Sequence, residues 1–250
     1  MRVARLSATA VTLVSIAAGA CGRSPVAPTG PPTVAVTRFL AFGDSMTEGT
    51  VSPALTSALT AGLPVSYPYK LQERLTATYL AQTLEVSNAG RAGERADQGV
   101  RRLPGVMSEV QPHVLLLLEG VNDLNSRAGI APTIEAVASM IQYARAQGVF
   151  VLVATLPPQR RGGQRASSVD LVPGFNDELR KMAAGEGATL VDVNSAFDLI
   201  WIGQDGLHPT DAGYSRLADI FFAAIRRAFE QPGQAGSRIL TLQASPVPRF

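Results

Sequence analysis

Short apolar runs alternate with stretches of helical period from residue 37 to about residue 230, and this alternation is the strongest constraint on the fold. The runs are rich in aliphatic and β-branched residues, which is typical of strands buried on both faces. Strands separated by helices form βαβ units around a parallel sheet. The sequence therefore predicts an α/β fold with five parallel strands, at residues 38–42, 84–87, 114–118, 150–154 and 189–193.

Five helices are expected between and after these strands. In the third helix, apolar side chains recur every three or four residues, Thr133 can cap the start and Gly148 can end it. This apolar stripe predicts a face that packs against the core. The helices are predicted at residues 68–78, 97–110, 133–147, 175–185 and 210–229.

The length and composition indicate one folded domain. The chain has 250 residues, of which 46% are hydrophobic and 17% are charged. A chain of this kind can bury one substantial core. We expect residues 37–230 to form a single domain.

The first twenty residues have the pattern of a signal peptide. Arg2 and Arg5 precede a weakly apolar stretch, and small residues lead to Cys21. The apolar part is shorter than the roughly 20 residues that a membrane-spanning helix needs. Residues 1–20 are therefore predicted to be a signal peptide, which implies an exported protein.

Cys21 is a candidate for lipidation because it is the only cysteine and directly follows the predicted cleavage site. Leucine is the commonest residue three places before a lipidated cysteine, and this chain has Ala18 there. Ordinary secretion with a free thiol therefore stays open beside a lipoprotein of the bacterial cell envelope. A lipid anchor at Cys21 is the one membrane attachment that the sequence predicts.

The two ends of the chain are expected to lie outside the domain. Residues 21–36 contain four prolines and suit an extended tether, and residues 231–250 are predicted to be a loosely attached tail. The formal net charge is +2, and removal of Arg2 and Arg5 takes it to 0. Because the mature chain lacks a basic excess, nucleic acid is not an expected partner.

Chemically distinctive residues follow four of the five predicted strands. The loops at the carboxyl ends of parallel strands share one edge of the sheet, which is where such folds place ligands. Residues far apart in the sequence are therefore expected to meet at this edge. The segments concerned are 43–46 after the first strand, 88–93 after the second, 120–123 after the third and 205–209 after the fifth.

Ser45 and His208 can form a nucleophile and its base. A serine hydroxyl needs a base within hydrogen-bond reach and a third group that orients the base. His113 lies at the entrance to an apolar run, where a loop or edge histidine is expected, whereas His208 follows Asp205 by three residues. We therefore expect the catalytic residues to be Ser45, Asp205 and His208. Two histidines and one cysteine are too few for a metal centre, so no metal and no cofactor are expected.

Ester hydrolysis also needs hydrogen-bond donors for the oxyanion that forms when the serine attacks. The backbone amides of Ser45 and Gly93 and the side-chain amide of Asn122 are plausible donors. Glycine lets the main chain approach a ligand closely, and an asparagine amide donates without titrating. These three groups form the predicted oxyanion hole.

These motifs together resemble the SGNH hydrolases, also called the GDSL esterase/lipase family, over residues 38 to about 228. The resemblance implies a flavodoxin-like three-layer α/β/α sandwich and the same assignment of Ser45, Asp205 and His208. It also implies Gly93 rather than Gly90 as a donor, because the glycine of the family lies five residues after the asparagine, here Asn88.

The expected function is a serine esterase that cleaves short or medium acyl esters through an acyl-enzyme. Acetyl groups on carbohydrate and lysophospholipids are the substrates considered, and thioesters use the same chemistry. The alternative is a tethered binding module that keeps the fold without catalysis. An alanine- and threonine-rich insertion at residues 50–66 is expected to narrow or cover the site.

Four further features receive structural interpretations. Asp44 and Asp123 are expected to tie neighbouring loops together through hydrogen bonds. Trp201 is interpreted equally as a pocket wall and as a packing residue. The arginines that follow the fourth strand are interpreted as a solvated loop rather than as a clamp for an anionic substrate; they are Arg160, Arg161 and Arg165.

Overall fold

A computed structural model describes residues 30–52 and 65–233 of the chain. The predictions for the signal peptide, for Cys21 and for most of the tether concern residues outside these ranges. The same holds for most of the 50–66 insertion and for the tail beyond residue 233. No helix in the described ranges is long and apolar enough to cross a membrane.

The described residues contain seven strands and eight α-helices. The strands are β1 (Gly30–Val34), β2 (Arg38–Gly43), β3 (Glu85–Gly90), β4 (Val114–Leu118), β5 (Phe150–Ala154), β6 (Thr189–Val191) and β7 (Glu230–Gly233). The helices are α1 (Ser45–Glu48), α2 (Tyr67–Thr78), α3 (Ala96–Val110), α4 (Val121–Asn125), α5 (Ile130–Ala146), α6 (Val172–Gly185), α7 (Val193–Ala196) and α8 (Asp211–Phe229).

Five strands form one parallel sheet in the order β3-β2-β4-β5-β6. Helices α2 and α8 pack together on one face, and α3, α5 and α6 pack in a row on the other. The predicted five-stranded parallel sheet and three-layer α/β/α fold are confirmed. Because all five strands run the same way, the loops after them lie along one edge.

The sheet centre is completely apolar. All five residues of β4 are buried, as expected for a strand covered by helices on both faces. On the side of α2 and α8, the rings of Tyr67 and Phe221 stack with their centroids 4.8 Å apart. The core therefore holds the carboxyl edge of the sheet in place from both sides.

A second, two-stranded sheet joins the two ends of the described chain, and the sequence did not predict it. Strand β1 pairs antiparallel with β7, so that part of the expected tether and the start of the expected tail lie against the domain. The Gln82 side chain bonds both the amide and the carbonyl of Val34, at 2.7 and 2.9 Å. Prolines in this segment obscured the strand, since proline is tolerated only at sheet edges.

Several predicted boundaries differ from those observed. Helix α5 begins at Ile130 rather than at Thr133, whose hydroxyl donates to the carbonyl of Gly129 instead of capping the helix. Strand β3 continues to Gly90, and β6 ends at Val191. The short helices α1 and α4 were missed because four or five residues are too few to show a helical period. Both helices carry residues of the predicted site.

Leu116→Ala is expected to lower the free energy of unfolding by about 2–5 kcal/mol, because it opens a cavity at the centre of β4. Urea denaturation measures the change. The matched control is Leu80→Ala, because Leu80 is 81% exposed and should cost less than about 0.5 kcal/mol. Equal losses in the two variants would contradict the placement of Leu116.

Candidate active site

Ser45 is held at the carboxyl end of β2 by a tight turn into helix α1. The Asp44 side chain caps this helix by accepting from the amide of Met46 at 2.9 Å. A side chain at Gly43 would approach the carbonyl oxygen of Leu118 to 2.0 Å, so glycine is required for this close approach. Ser45 opens α1, and the amide of a first helical residue has no partner within the helix.

His208 and Asp205 reach Ser45 from the loop before α8. The distance from Ser45 Oγ to His208 Nε2 is 2.9 Å, and that from His208 Nδ1 to Asp205 Oδ2 is 2.6 Å. All three side chains are buried. The structure therefore brings the three predicted catalytic residues together in a hydrogen-bonded series.

The Asp205 carboxylate is held in an ionised form. Its burial alone would raise the pKa, but the His208 ring and the backbone amides of Leu207 and His208 donate to it and lower the pKa. The two amides both bond Oδ1 at 3.0 Å, which leaves Oδ2 for the ring. Such a carboxylate fixes the ring orientation and stabilises an imidazolium.

Ser52 supports the Asp205 loop, and sequence reasoning missed it. Its hydroxyl accepts from the amide of Asp205 at 3.4 Å. A side chain at Gly203 would meet Ser52 Cβ at 2.3 Å, so the two loops touch closely. The Tyr214 hydroxyl also donates to the carbonyl of Thr50. No motif signalled these contacts, because each joins residues far apart in the sequence.

The Gly93 loop is anchored on both sides of the predicted oxyanion hole. The amide of Arg91 donates to the carbonyl of Gly43 at 2.9 Å, and the side-chain amide of Asn122 donates to the carbonyl of Glu94 at 2.8 Å. Gly93 has a φ of +77°, a conformation that favours glycine. By contrast, the Gly90 amide is bonded to the Asn88 side chain at 2.9 Å.

Four carboxyl groups are buried beneath the site, and few positively charged side chains are available to form ion pairs with them. Their relative exposures do not exceed 3%. Arg102 binds Glu94 through two of its nitrogens. Asp123 accepts from the amide of Ala96 at 2.8 Å and so ties α4 to α3, the role predicted for it. The four groups are those of Asp44, Glu94, Glu119 and Asp123.

Burial and mutual repulsion raise the pKa of several of these groups. The pKa of Asp44 rises from 3.8 to about 7, chiefly through burial and further through the charges of Asp123 and Glu94. Burial and the Asp44 charge raise the pKa of Glu119 well above its usual range. Glu119 was not predicted from the sequence, although a single acid between an apolar strand and Gly120 was a detectable signal.

Asp44→Asn is expected to gain stability over the wild type as the pH rises. Between pH 3.8 and about 7 the unfolded chain has lost the Asp44 proton while the folded chain keeps it, so wild-type stability falls with pH. Asparagine stays neutral and still caps α1. Between pH 5 and pH 8 the stability difference, variant minus wild type, should grow by about 1–3 kcal/mol.

Urea denaturation at the two pH values measures this difference. The control is Asp177→Asn, the same replacement at an exposed acid on α6 that lies outside the buried group of acids. A difference for Asp44→Asn that stays constant with pH would contradict a raised Asp44 pKa.

The remaining sequence candidates lie away from the reacting groups or have packing partners. His113 precedes β4 at the opposite edge of the sheet, where its Nδ1 accepts from the amide of Thr37 at 3.2 Å. Trp201 packs edge-on against Phe197, with ring centroids 5.3 Å apart. No cluster of three or more His, Cys, Asp or Glu residues in the described ranges is suited to a metal ion.

The arginines after β5 are largely committed to contacts within the protein. Arg160 donates to the carbonyls of Leu199 and Ile202, and Arg161 forms an ion pair with Asp170. The backbone amide of Arg165 donates to the Asp205 carbonyl at 2.8 Å. This loop therefore supports the Asp205 segment from outside.

A serine, a histidine and an aspartate bonded in series at the carboxyl edge of a parallel sheet form the arrangement of an α/β serine hydrolase. A family model described as the GDSL-like lipase/acylhydrolase family matches residues 41–216. The chain belongs to this family of ester hydrolases, and the resemblance inferred from the motifs is confirmed.

Similar proteins agree with this assignment. Esterase TesA of Pseudomonas aeruginosa is 29% identical over 178 residues, which cover 68% of this chain and 82% of TesA. A lipase/acylhydrolase from Enterococcus faecalis has a similar structure, with a TM-score of 0.63 at 21% identity, over 80% of this chain and 100% of the other. An acetyl xylan esterase variant from Geobacillus stearothermophilus gives 0.62 at 18% identity, over 77% and 96%. These two structural likenesses concern the fold.

Proposed function

We propose that the protein is a serine esterase that cleaves carboxylic esters through a covalent acyl-enzyme, with Ser45 as nucleophile. The observation that carries this proposal is the series of hydrogen bonds from Ser45 through His208 to Asp205, at 2.9 and 2.6 Å. These lengths are within the range required for proton transfer between a nucleophile and its base.

In the proposed reaction Ser45 Oγ attacks the ester carbonyl carbon while His208 Nε2 takes the hydroxyl proton. The imidazolium then gives this proton to the alkoxide, which leaves as the alcohol. A water molecule, deprotonated by His208, then attacks the acyl-enzyme, and the imidazolium returns this proton to Ser45 Oγ as the carboxylic acid is released. Asp205 does not change its protonation; it holds the ring and stabilises the imidazolium.

The proposed oxyanion donors are the backbone amides of Ser45 and Gly93 and the side chain of Asn122. The bond from Asn122 to the carbonyl of Glu94 uses one amide hydrogen and leaves the second for the substrate. The choice of Gly93 is supported by the Gly90 amide, which already has an acceptor in Asn88.

The proposed substrates carry short or medium acyl groups, such as acetyl groups on carbohydrate or the single acyl chain of a lysophospholipid. The name of the acetyl xylan esterase with a similar fold is consistent with the first class.

We also propose that the protein is exported and that Cys21 is its lipid attachment site. Intact mass of the mature protein from its native host tests this: an unmodified Cys21 at the amino terminus would contradict the anchor.

Ser45→Ala is expected to abolish turnover of a p-nitrophenyl ester, because the variant lacks the atom that forms the acyl-enzyme. Labelling by a fluorophosphonate probe should be lost at the same time. Full activity in this variant would refute the mechanism. An unlabelled and inactive wild type would instead favour a binding module of the same fold.

Asn122→Ala is expected to lower kcat by about 10² to 10³ if Asn122 donates to the oxyanion. KM should change little, since the donor acts mainly on the transition state. The same variant also loses the bond to Glu94, so its free energy of unfolding is measured alongside. A folded variant with wild-type kcat would remove Asn122 from the oxyanion hole.

A further inference from the structure

A cleft of about 530 Å³ lies directly beside Gly93. It runs between the loop after β3 and the first turns of α3. Its lining contains Gly93 and polar or charged side chains, with no large apolar residue. The charged and polar lining residues are Arg91, Glu94, Gln98, Arg101 and Arg102. The cleft therefore adjoins the proposed oxyanion hole but is unsuited to an acyl chain.

The cleft carries positive charge that its acidic residues do not match. Glu94 is bound by Arg102 and is almost fully buried, so its negative charge is already compensated. Arg91 Nη1 lies 4.0 Å from Glu94, at the limit of an ion pair, and the Arg91 side chain is 68% exposed. Arg91 is thus left as a cation that faces solvent at the mouth of the cleft.

Arg101 adds a second accessible cation. Its partner Asp97, at 3.0 Å, also bonds Arg95 at 2.9 Å, so that one carboxylate serves two guanidinium groups. The Arg101 side chain is 67% exposed. Residues 91–102 thus contain four arginines against two carboxylates, an excess of two positive charges.

On the opposite side of the site Arg165 is also exposed, whereas the two arginines before it are committed to contacts within the protein. Arg160 there donates to two backbone carbonyls, and Arg161 is paired with Asp170. The arginines beside Gly93 differ from these in lining one cleft together with Gly93, a residue of the proposed oxyanion hole.

We propose that the cleft beside Gly93 binds a negatively charged group, a phosphate or a carboxylate, on the alcohol half of the ester substrate. Guanidinium groups recognise both anions through paired N–H donors. The alcohol half is assigned because the lining has no large apolar side chain to hold an acyl chain. This inference rests on the proposed roles of Ser45 and Gly93 and adds the substrate class.

Matched acetate esters test the proposal. The carboxylate substrate is 4-acetoxybenzoate, the phosphate substrate is 4-acetoxyphenyl phosphate, and the neutral comparison is 4-acetoxybenzamide. Wild-type kcat/KM should be higher for one or both anionic esters than for the amide. The two anionic substrates distinguish a carboxylate from a phosphate ligand. The preference should weaken at high salt, because exposed charges are screened.

Arg91→Gln and Arg101→Gln should each lower kcat/KM for the preferred anionic ester by about two- to fivefold, the range of an exposed ion pair. Activity on the neutral ester, 4-acetoxybenzamide, should stay unchanged, because neither arginine side chain is assigned to the catalytic machinery. The matched control is Arg227→Gln, an exposed arginine in the last turn of α8, which should alter neither activity.

Three results would overturn the assignment. The first is equal activity of the wild type on the charged and neutral esters. The second is an equal loss of activity on both kinds of ester in the arginine variants. The third is a charge preference seen only when the charge is on the acyl half of the ester, as in 4-nitrophenyl succinate compared with its methyl ester. In each case the enzyme still turns over the neutral ester and Ser45→Ala does not, so the proposed function stands. Failure of that function would instead appear as unaltered turnover in Ser45→Ala.

Discussion

The parallel pairing of β2 with β4 is the contact on which the site depends. Gly43 lies opposite Leu118 in this register, and its missing side chain lets the two backbones close up. Immediately beyond this pair the chain turns into α1 on one strand and towards α4 on the other. Ser45 and Asn122 are therefore delivered to one edge by buried apolar strands, and His208 needs only to reach that edge from its own loop.

The acids buried under this edge of the sheet lower the stability of the folded protein, because burial disfavours their charged form. Asp44 caps helix α1, which begins at Ser45, yet its burial near other carboxyl groups raises its pKa to about 7. Glu119 lies close by with a pKa raised in the same direction. Protonation removes the charge and lets both groups stay inside the protein. Stability is therefore coupled to pH through these buried acids.

The two sides of the site use arginine differently. After β5, the Arg160 guanidinium donates to backbone carbonyls and so stiffens the segment that leads to Asp205. Beside Gly93, Arg102 neutralises the buried Glu94, so Arg91 has no close acidic partner there. Arg101, which shares Asp97 with Arg95, is also exposed at the cleft. One side thus has a mainly structural role, while the other offers charge to a ligand. This asymmetry is the physical basis for the proposal that the alcohol half of the substrate carries a negative charge.

The primary sequence alone was sufficient for the sheet and for the pairing of Ser45 with His208. Strands buried on both faces leave uninterrupted apolar runs, as in 114–118, and residues that follow parallel strands must meet at one edge. The β1–β7 pairing, the acid cluster that includes Glu119 and the cleft beside Arg101 emerged only in three dimensions. Each of these three features depends on contacts between residues that are distant in the chain: strand pairing, shared burial or charge compensation. No local sequence pattern predicts which distant residues come into contact.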